Sequence, residues 1–441
     1  MNKKNNTLEI QLDAERKLLK PQGGSTRHIV ATLTPPELNT AIAERPPQNV
    51  AIVIDRSGSM GGGRLASAKQ AVIEVANMLG AEDRLSVAAF DQDTMTVLRS
   101  TAMDVEGRSL AEREVGRLEC GGSTNLFAGF LLGSELVAEA MNADSAGINR
   151  VILLSDGHAN QGELNPSVIA QHARALSDRG IITSTVGIGD GYESRFLQAL
   201  SEAGGGDMHD AEKPQEIVEV ILGEMTGAVM QCATGGEFTL RVQHCTRVEQ
   251  IGIEPGQSRP LPDGACEVTV RTGALFRSRQ RKLVFAAHFS PGDIGEKPTA
   301  SVNLALSGAD DIDVGPLPKP LRFKFAPLSD VHAEPNRVEA AGPAARALRD
   351  VIQREATQLN RMGDANGIRS LIDRHEDRFR HLVRGLPDEG DLLDDLHTIR
   401  RRADQIWDER TRKEMDLSSM MSLKSGADFR SESKTPWKER L

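Results

Sequence analysis

Asp55-Arg56-Ser57-Gly58-Ser59-Met60 directly follows the apolar run 50–54, and its residue types suit cation chemistry. A carboxylate at the first position and hydroxyls at the third and fifth put three hard oxygen donors on one tight turn, with Gly58 letting the backbone curl. Hard oxygens select Mg²⁺, Mn²⁺ or Ca²⁺ over zinc. Two later loops repeat this logic. Gly121-Gly122-Ser123-Thr124-Asn125 precedes a helical stretch, and Ser155-Asp156-Gly157 follows the buried run 151–154, so Thr124 and Asp156 can reach the same point.

The elements that must hold these loops are legible as a repeating pattern. Apolar strands are expected at 50–54, 85–90, 151–154 and 181–186; between them lie amphipathic helices, the first carrying Leu65, Ala68, Val72, Val75 and Leu79 on one face, the last spanning 216–230. Continuous apolar strands alternating with helices mean a parallel sheet covered on both faces, a doubly wound α/β domain. In such sheets ligands sit beyond the carboxyl ends of the strands at a switch point, which is where the loop starting at Asp55 must lie.

The flanking sequence has a different period. Residues 8–12 and 28–33 alternate and read as antiparallel strands with one wet face. Short strands at 238–242, 267–270, 283–289, 301–306 and 321–325, separated by Pro/Gly/Asp turns, form an antiparallel β-sandwich pattern. The two early strands complete that sandwich, so the α/β domain is inserted within it. A 3.6-residue period returns with helices at 336–362, 365–384 and 389–409. The expected division is 1–44 (sandwich strands), 45–231 (α/β), 235–328 (β-sandwich), 335–411 (helical) and 412–441 (flexible tail).

Over residues 45–231 the sequence resembles the von Willebrand factor type A (VWA) domain, whose metal-ion-dependent adhesion site (MIDAS) has the pattern D-x-S-x-S, then Thr, then Asp. All five positions match, as Asp55, Ser57, Ser59, Thr124 and Asp156. The resemblance implies that the serines and threonine coordinate a divalent ion directly or through water, with the aspartates partly behind them. It also implies that an open coordination position accepts an Asp or Glu from a partner protein. The wider arrangement looks like bacterial cytoplasmic VWA proteins with a β-sandwich and a helical region. Relatives of that kind accompany Ser/Thr kinases, phosphatases or AAA+ ATPases, which implies an adaptor in a signalling or stress-response assembly. The alternatives are a docking subunit of an AAA+ or chelatase-like machine, and a metal-dependent hydrolase.

Composition narrows the classes. With 441 residues, 53 basic and 63 acidic side chains give a net charge of −10, and aromatic residues are 3% of the chain. That disfavours nucleic acid and anionic lipid as partners. The start of the chain shows no apolar signal segment, and no run approaches the ~18 residues of a membrane span. Cysteines 120, 232, 245 and 266 show no C-x-x-C spacing, so a reduced, cytoplasmic protein is expected. No enzyme is expected either. G-x-S-x-G, H-E-x-x-H and kinase signatures are absent, and the second carboxylate that an Asp55 nucleophile would want two residues on is replaced by Ser57.

Other polar residues read more plainly. His158 and Asn160 are expected to be ordinary loop residues, Asp91 and Asp93 a polar turn into an edge strand, and 187–191 a strand-to-helix turn. Ser67 and Lys69 read as a solvated helix face, and Arg64 as a rim contact.

Overall fold

The computed structural model describes residues 6–37, 47–143, 148–156, 159–189, 194–211, 213–233, 235–252, 256–277, 279–308 and 312–425. The chain divides into two compact units, one of residues 39–234 and one of residues 1–38 with 235–441.

The first of these is built on a six-stranded sheet. Its spatial order is Thr94–Ala102, Arg84–Phe90, Gln48–Asp55, Ile148–Ser155, Ile181–Ile188 and Gly205–Ala211. All neighbours run parallel except the first pair, which is antiparallel. Every residue of Gln48–Asp55 is buried, as expected of a central strand covered by helices on both faces. The chain leaves this strand for Arg84–Phe90 on one side and returns to Ile148–Ser155 on the other. Its carboxyl end is therefore the switch point.

Two helices set the loops that matter. Arg64–Met78 buries Leu65, Ala68, Ala71, Val72, Val75 and Ala76, a stripe of 3.6-residue period. Leu126–Ala143 lies unusually close to the sheet: a Cβ added at Gly129 would stand 2.4 Å from the Phe90 ring, and one at Gly133 2.2 Å from Val53 Cγ2. Glycine at these two positions lets the helix sink toward the strands, which draws the preceding loop, with Thr124, to the sheet's edge.

In the other unit one sheet has the order Cys245–Ile251, Arg281–Phe289, Ser25–Thr34, Thr7–Ala14 and Asp313–Val314. A second has the order Gln257–Pro260, Cys266–Arg271, Gly235–Val242, Thr299–Ser307 and Leu321–Arg322. Ser25–Thr34 pairs with Thr7–Ala14 on one side and Arg281–Phe289 on the other, so strands from before and after the α/β unit share one ladder. Phe238 and Phe285 stack across the two sheets with ring centroids 5.7 Å apart.

The expectation of a wet face on residues 28–33 needs correcting. Ser25–Thr34 is buried on both faces, because Val30, Val284 and Ala286 pack into one apolar cluster with Ala340, Ala344 and Leu348 of the helix Val338–Arg361. Thr7–Ala14 keeps its alternation.

The helical region also departs from expectation at its end. Helices span Val338–Arg361, Ala365–Val383 and Glu389–Arg401. The third stops at Arg401, short of residue 409, because a new helix, Glu409–Ser425, starts where the Asp408 carboxylate accepts from the Thr411 N–H at 2.7 Å. Residues 412–425, read from sequence as tail, belong to that helix; residues 426–441 lie outside the described residues.

Candidate functional site

The loop that leaves Gln48–Asp55 is tied to the loop before Leu126–Ala143 by two main-chain hydrogen bonds. Gly121 N–H donates to Arg56 O at 2.6 Å, and Gly58 N–H donates to Gly122 O at 2.8 Å. The strand end and the helix start thus hold each other in place.

Asp55 is fully buried. Its Oδ1 accepts from the Ser57 N–H at 2.8 Å and its Oδ2 from the Ser155 hydroxyl at 2.6 Å. Burial pushes the carboxyl pKa up to about 6 in spite of these donors, and the nearby Asp156 charge acts in the same direction. The hydroxyls of Ser57 and Ser59 are 3.1 Å apart, the first buried and the second exposed, so the donors step from interior to rim.

Thr124 is buried, and Asn160 fixes it from both sides. The Asn160 carboxamide oxygen accepts from Thr124 N–H at 2.9 Å, and Asn160 N–H donates back to Thr124 O at 3.1 Å. The ordinary loop role expected of Asn160 is thus replaced by a positioning one. Asp156 is 1% exposed, yet neither carboxylate oxygen has a hydrogen-bond partner among the described residues. Among the described residues the cation paired with it is Arg64, whose Nη1 stands 3.6 Å from Asp156 Oδ2 and donates to Ser59 O at 2.9 Å. Gly157, His158 and residues 190–191 lie outside the described residues.

Asp91 does more than turn the chain. It is fully buried, pairs with Arg56 Nη2 at 2.7 Å, accepts from Asp93 N–H at 2.9 Å, and offers its main-chain oxygen to Asn125 N–H at 2.7 Å. A Cβ at position 121 would stand 1.8 Å from Asp91 Oδ2, so only glycine fits against this brace. Lys69 likewise departs from a solvated face. Its ammonium caps the carbonyls of Gly116 and Leu118 at 2.7 and 2.9 Å.

Three hydroxyls and two buried carboxylates supply oxygen donors alone. Among the described residues the buried Asp156 carboxylate accepts no hydrogen bond and has Arg64 Nη1 at 3.6 Å, so its burial favours further compensation by a cation. The donor set fits a hard divalent ion.

A second cluster of ligand-type atoms is already satisfied without an ion. Those of Asp207, His209 and Glu224 lie within 4.8 Å of one another. The buried Glu224 carboxylate pairs with Arg150, accepts from the Ser184 hydroxyl at 2.5 Å, and meets His209 Nε2 at 2.7 Å. Burial alone would raise its pKa, but Arg150 and His209 outweigh that and hold it at about 2. The network fastens Pro214–Met230 to the sheet.

A doubly wound sheet with hydroxyl and carboxylate donors beyond its central strand is the class of domain these features define. Residues 49–221 match the family model for the von Willebrand factor type A domain, and the chain carries such a domain. An uncharacterized protein, sll0103, from Synechocystis is 24% identical over 302 residues, 66% of this chain and 70% of that protein. Inter-alpha-trypsin inhibitor heavy chain H4 from Sus scrofa is 29% identical over 174 residues, 39% of this chain but only 18% of its own length. Among solved structures, a von Willebrand factor type A protein from Catenulispora acidiphila superposes with a TM-score of 0.66 at 18% identity, covering 95% of this chain and 97% of that one. That likeness is one of fold. VWA domains typically bind a divalent metal at the MIDAS and are generally non-catalytic interaction modules. Among the described residues no helix is long and apolar enough to cross a membrane.

Proposed function

We propose that Asp55, Ser57, Ser59, Thr124 and Asp156 form a MIDAS that holds Mg²⁺, or Mn²⁺ or Ca²⁺ in its place, and that the bound ion accepts an Asp or Glu side chain from a partner protein. The observation that carries this reading is the buried Asp156 carboxylate left without a hydrogen-bond donor among the described residues. Neutral hydroxyl donors leave much of the ion's charge uncompensated, so its open position favours an outside carboxylate. The chain then works as a non-catalytic adaptor, in our reading in the bacterial cytoplasm. The partner class we propose is a Ser/Thr kinase, phosphatase or AAA+ ATPase. The two flanking sheets, taken as one β-sandwich interrupted by the VWA domain, and the helices behind them extend the contact.

The test is calorimetric titration with Mg²⁺ and Mn²⁺, paired with affinity capture from the native lysate in Mg²⁺ and in EDTA, each with wild type and Asp55→Ala. One ion per chain, lost with Asp55→Ala, together with a partner lost by both mutation and chelation, is the expected result. Capture that survives both overturns the docking role of the metal.

A further inference from the structure

Arg64 stands where a cation is locally unwelcome. It is the first residue of Arg64–Met78, at the positive end of the helix macrodipole, and that helix has no acidic residue in its first turn. Its guanidinium nevertheless reaches back over the metal loop, with Nη1 donating to Ser59 O at 2.9 Å and lying 3.6 Å from Asp156 Oδ2. Space for this is provided by the next strand. Gly189, at φ +82°, follows Ile181–Ile188, and a Cβ there would come within 2.8 Å of Arg64 Nε. Three loops therefore shape a place for one guanidinium beside the carboxylate that lacks any other described partner.

Resting on the metal reading above, we propose that Arg64 is an internal counter-cation of the MIDAS, a charge that a divalent ion must overcome or push aside to use Asp156. Two cations facing one carboxylate repel each other, and the guanidinium cannot shed its charge by losing a proton. Its side chain is 41% exposed, so it can swing outward while the rest of the loop stays fixed. Arg64 thus lowers intrinsic metal affinity and ties loading of the site to the arrival of negative charge from outside, which is what an incoming partner carboxylate brings.

The experiment is Mn²⁺ titration of the full chain, read by calorimetry and by the solution EPR signal of free Mn²⁺, with no partner present. Arg64→Gln is expected to bind Mn²⁺ about tenfold more tightly than wild type, the size of a moderate coupling between neighbouring charges. Arg64→Met, which keeps much of the stem and discards the charge, must reproduce the gain. Unchanged or weaker affinity in either variant overturns the proposal. Failure of the metal reading is separable: wild type that binds no Mn²⁺, or binding that Asp55→Ala leaves intact, would overturn the MIDAS itself.

Discussion

The Ser155 hydroxyl donates a 2.6 Å hydrogen bond to Oδ2 of Asp55, joining the ends of two neighbouring strands. Asp55 can then neither rotate nor present both oxygens outward; one is spent on Ser155 and the other on the Ser57 N–H. Partners of this kind orient metal-site carboxylates, and their loss weakens metal affinity by roughly 10–100-fold. Ser155→Ala should therefore lower Mn²⁺ affinity about tenfold while leaving the secondary structure intact, measured by calorimetry and far-UV circular dichroism.

Acid should destabilise the two units in different pH windows. His28 is buried, its pKa lowered first by burial and then by Arg378 and Arg27, against the opposing pull of Glu15. Its Nε2 accepts from Arg378 at 2.7 Å, so the native ring is neutral. A base with a depressed folded pKa leaves the unfolded chain binding more protons, so its contribution is lost as pH falls below the unfolded value of about 6.5. Glu224, held at about 2, contributes stability above its unfolded value of 4.5 and loses it as pH falls toward 2. Denaturant melts should show the unit containing residues 1–38 and 235–441 weakening first, as pH falls below about 6.5. Glu224→Gln should flatten the lower limb of the other unit's profile.

The α/β unit was legible because its strands and helices carry clean periods and its five candidate ligands are punctuation at strand and helix ends. The supports were not. Asp91 looked like a turn former because nothing in a linear pattern reveals that Arg56 and Gly122 come to lie against it. Asn160 is a common loop residue and Ser155 a common strand end, and the importance of each is a distance, 2.9 Å to Thr124 N and 2.6 Å to Asp55. Gln257–Pro260 escaped notice because an edge strand of four residues ending in Pro carries little pattern. The double burial of Ser25–Thr34 depended on helices more than 300 residues away in sequence.

Glu409–Ser425 is polar enough to resemble a tail, yet Met415 and Met420 are fully buried and the Ser419 hydroxyl donates to Gln353 Oε1 at 3.0 Å. Truncation after residue 411 strips cover from the helix Val338–Arg361. It removes two fully buried methionines, each worth about 1.5–3 kcal/mol of burial, and should lower the chemical denaturation midpoint. Equal chemical denaturation midpoints for chains ending at 411 and 425 would show that this helix adds nothing.

Deleting residues 1–34 should affect the chain's two units differently. Ser25–Thr34 is the middle strand of its sheet, hydrogen-bonded along nine residue pairs to Arg281–Phe289 and along six to Thr7–Ala14. Without it, Arg281–Phe289 has an open edge, and Val284 and Ala286 lose a neighbour in the cluster they share with the helices. The sheet of residues 48–211 takes no strand from the deleted segment. Limited proteolysis should then cut rapidly within 235–326 while a fragment spanning the α/β unit survives and still binds Mn²⁺. Retained protease resistance across 235–326 would mean that the later strands form a core without the early ones, and that the shared ladder is dispensable.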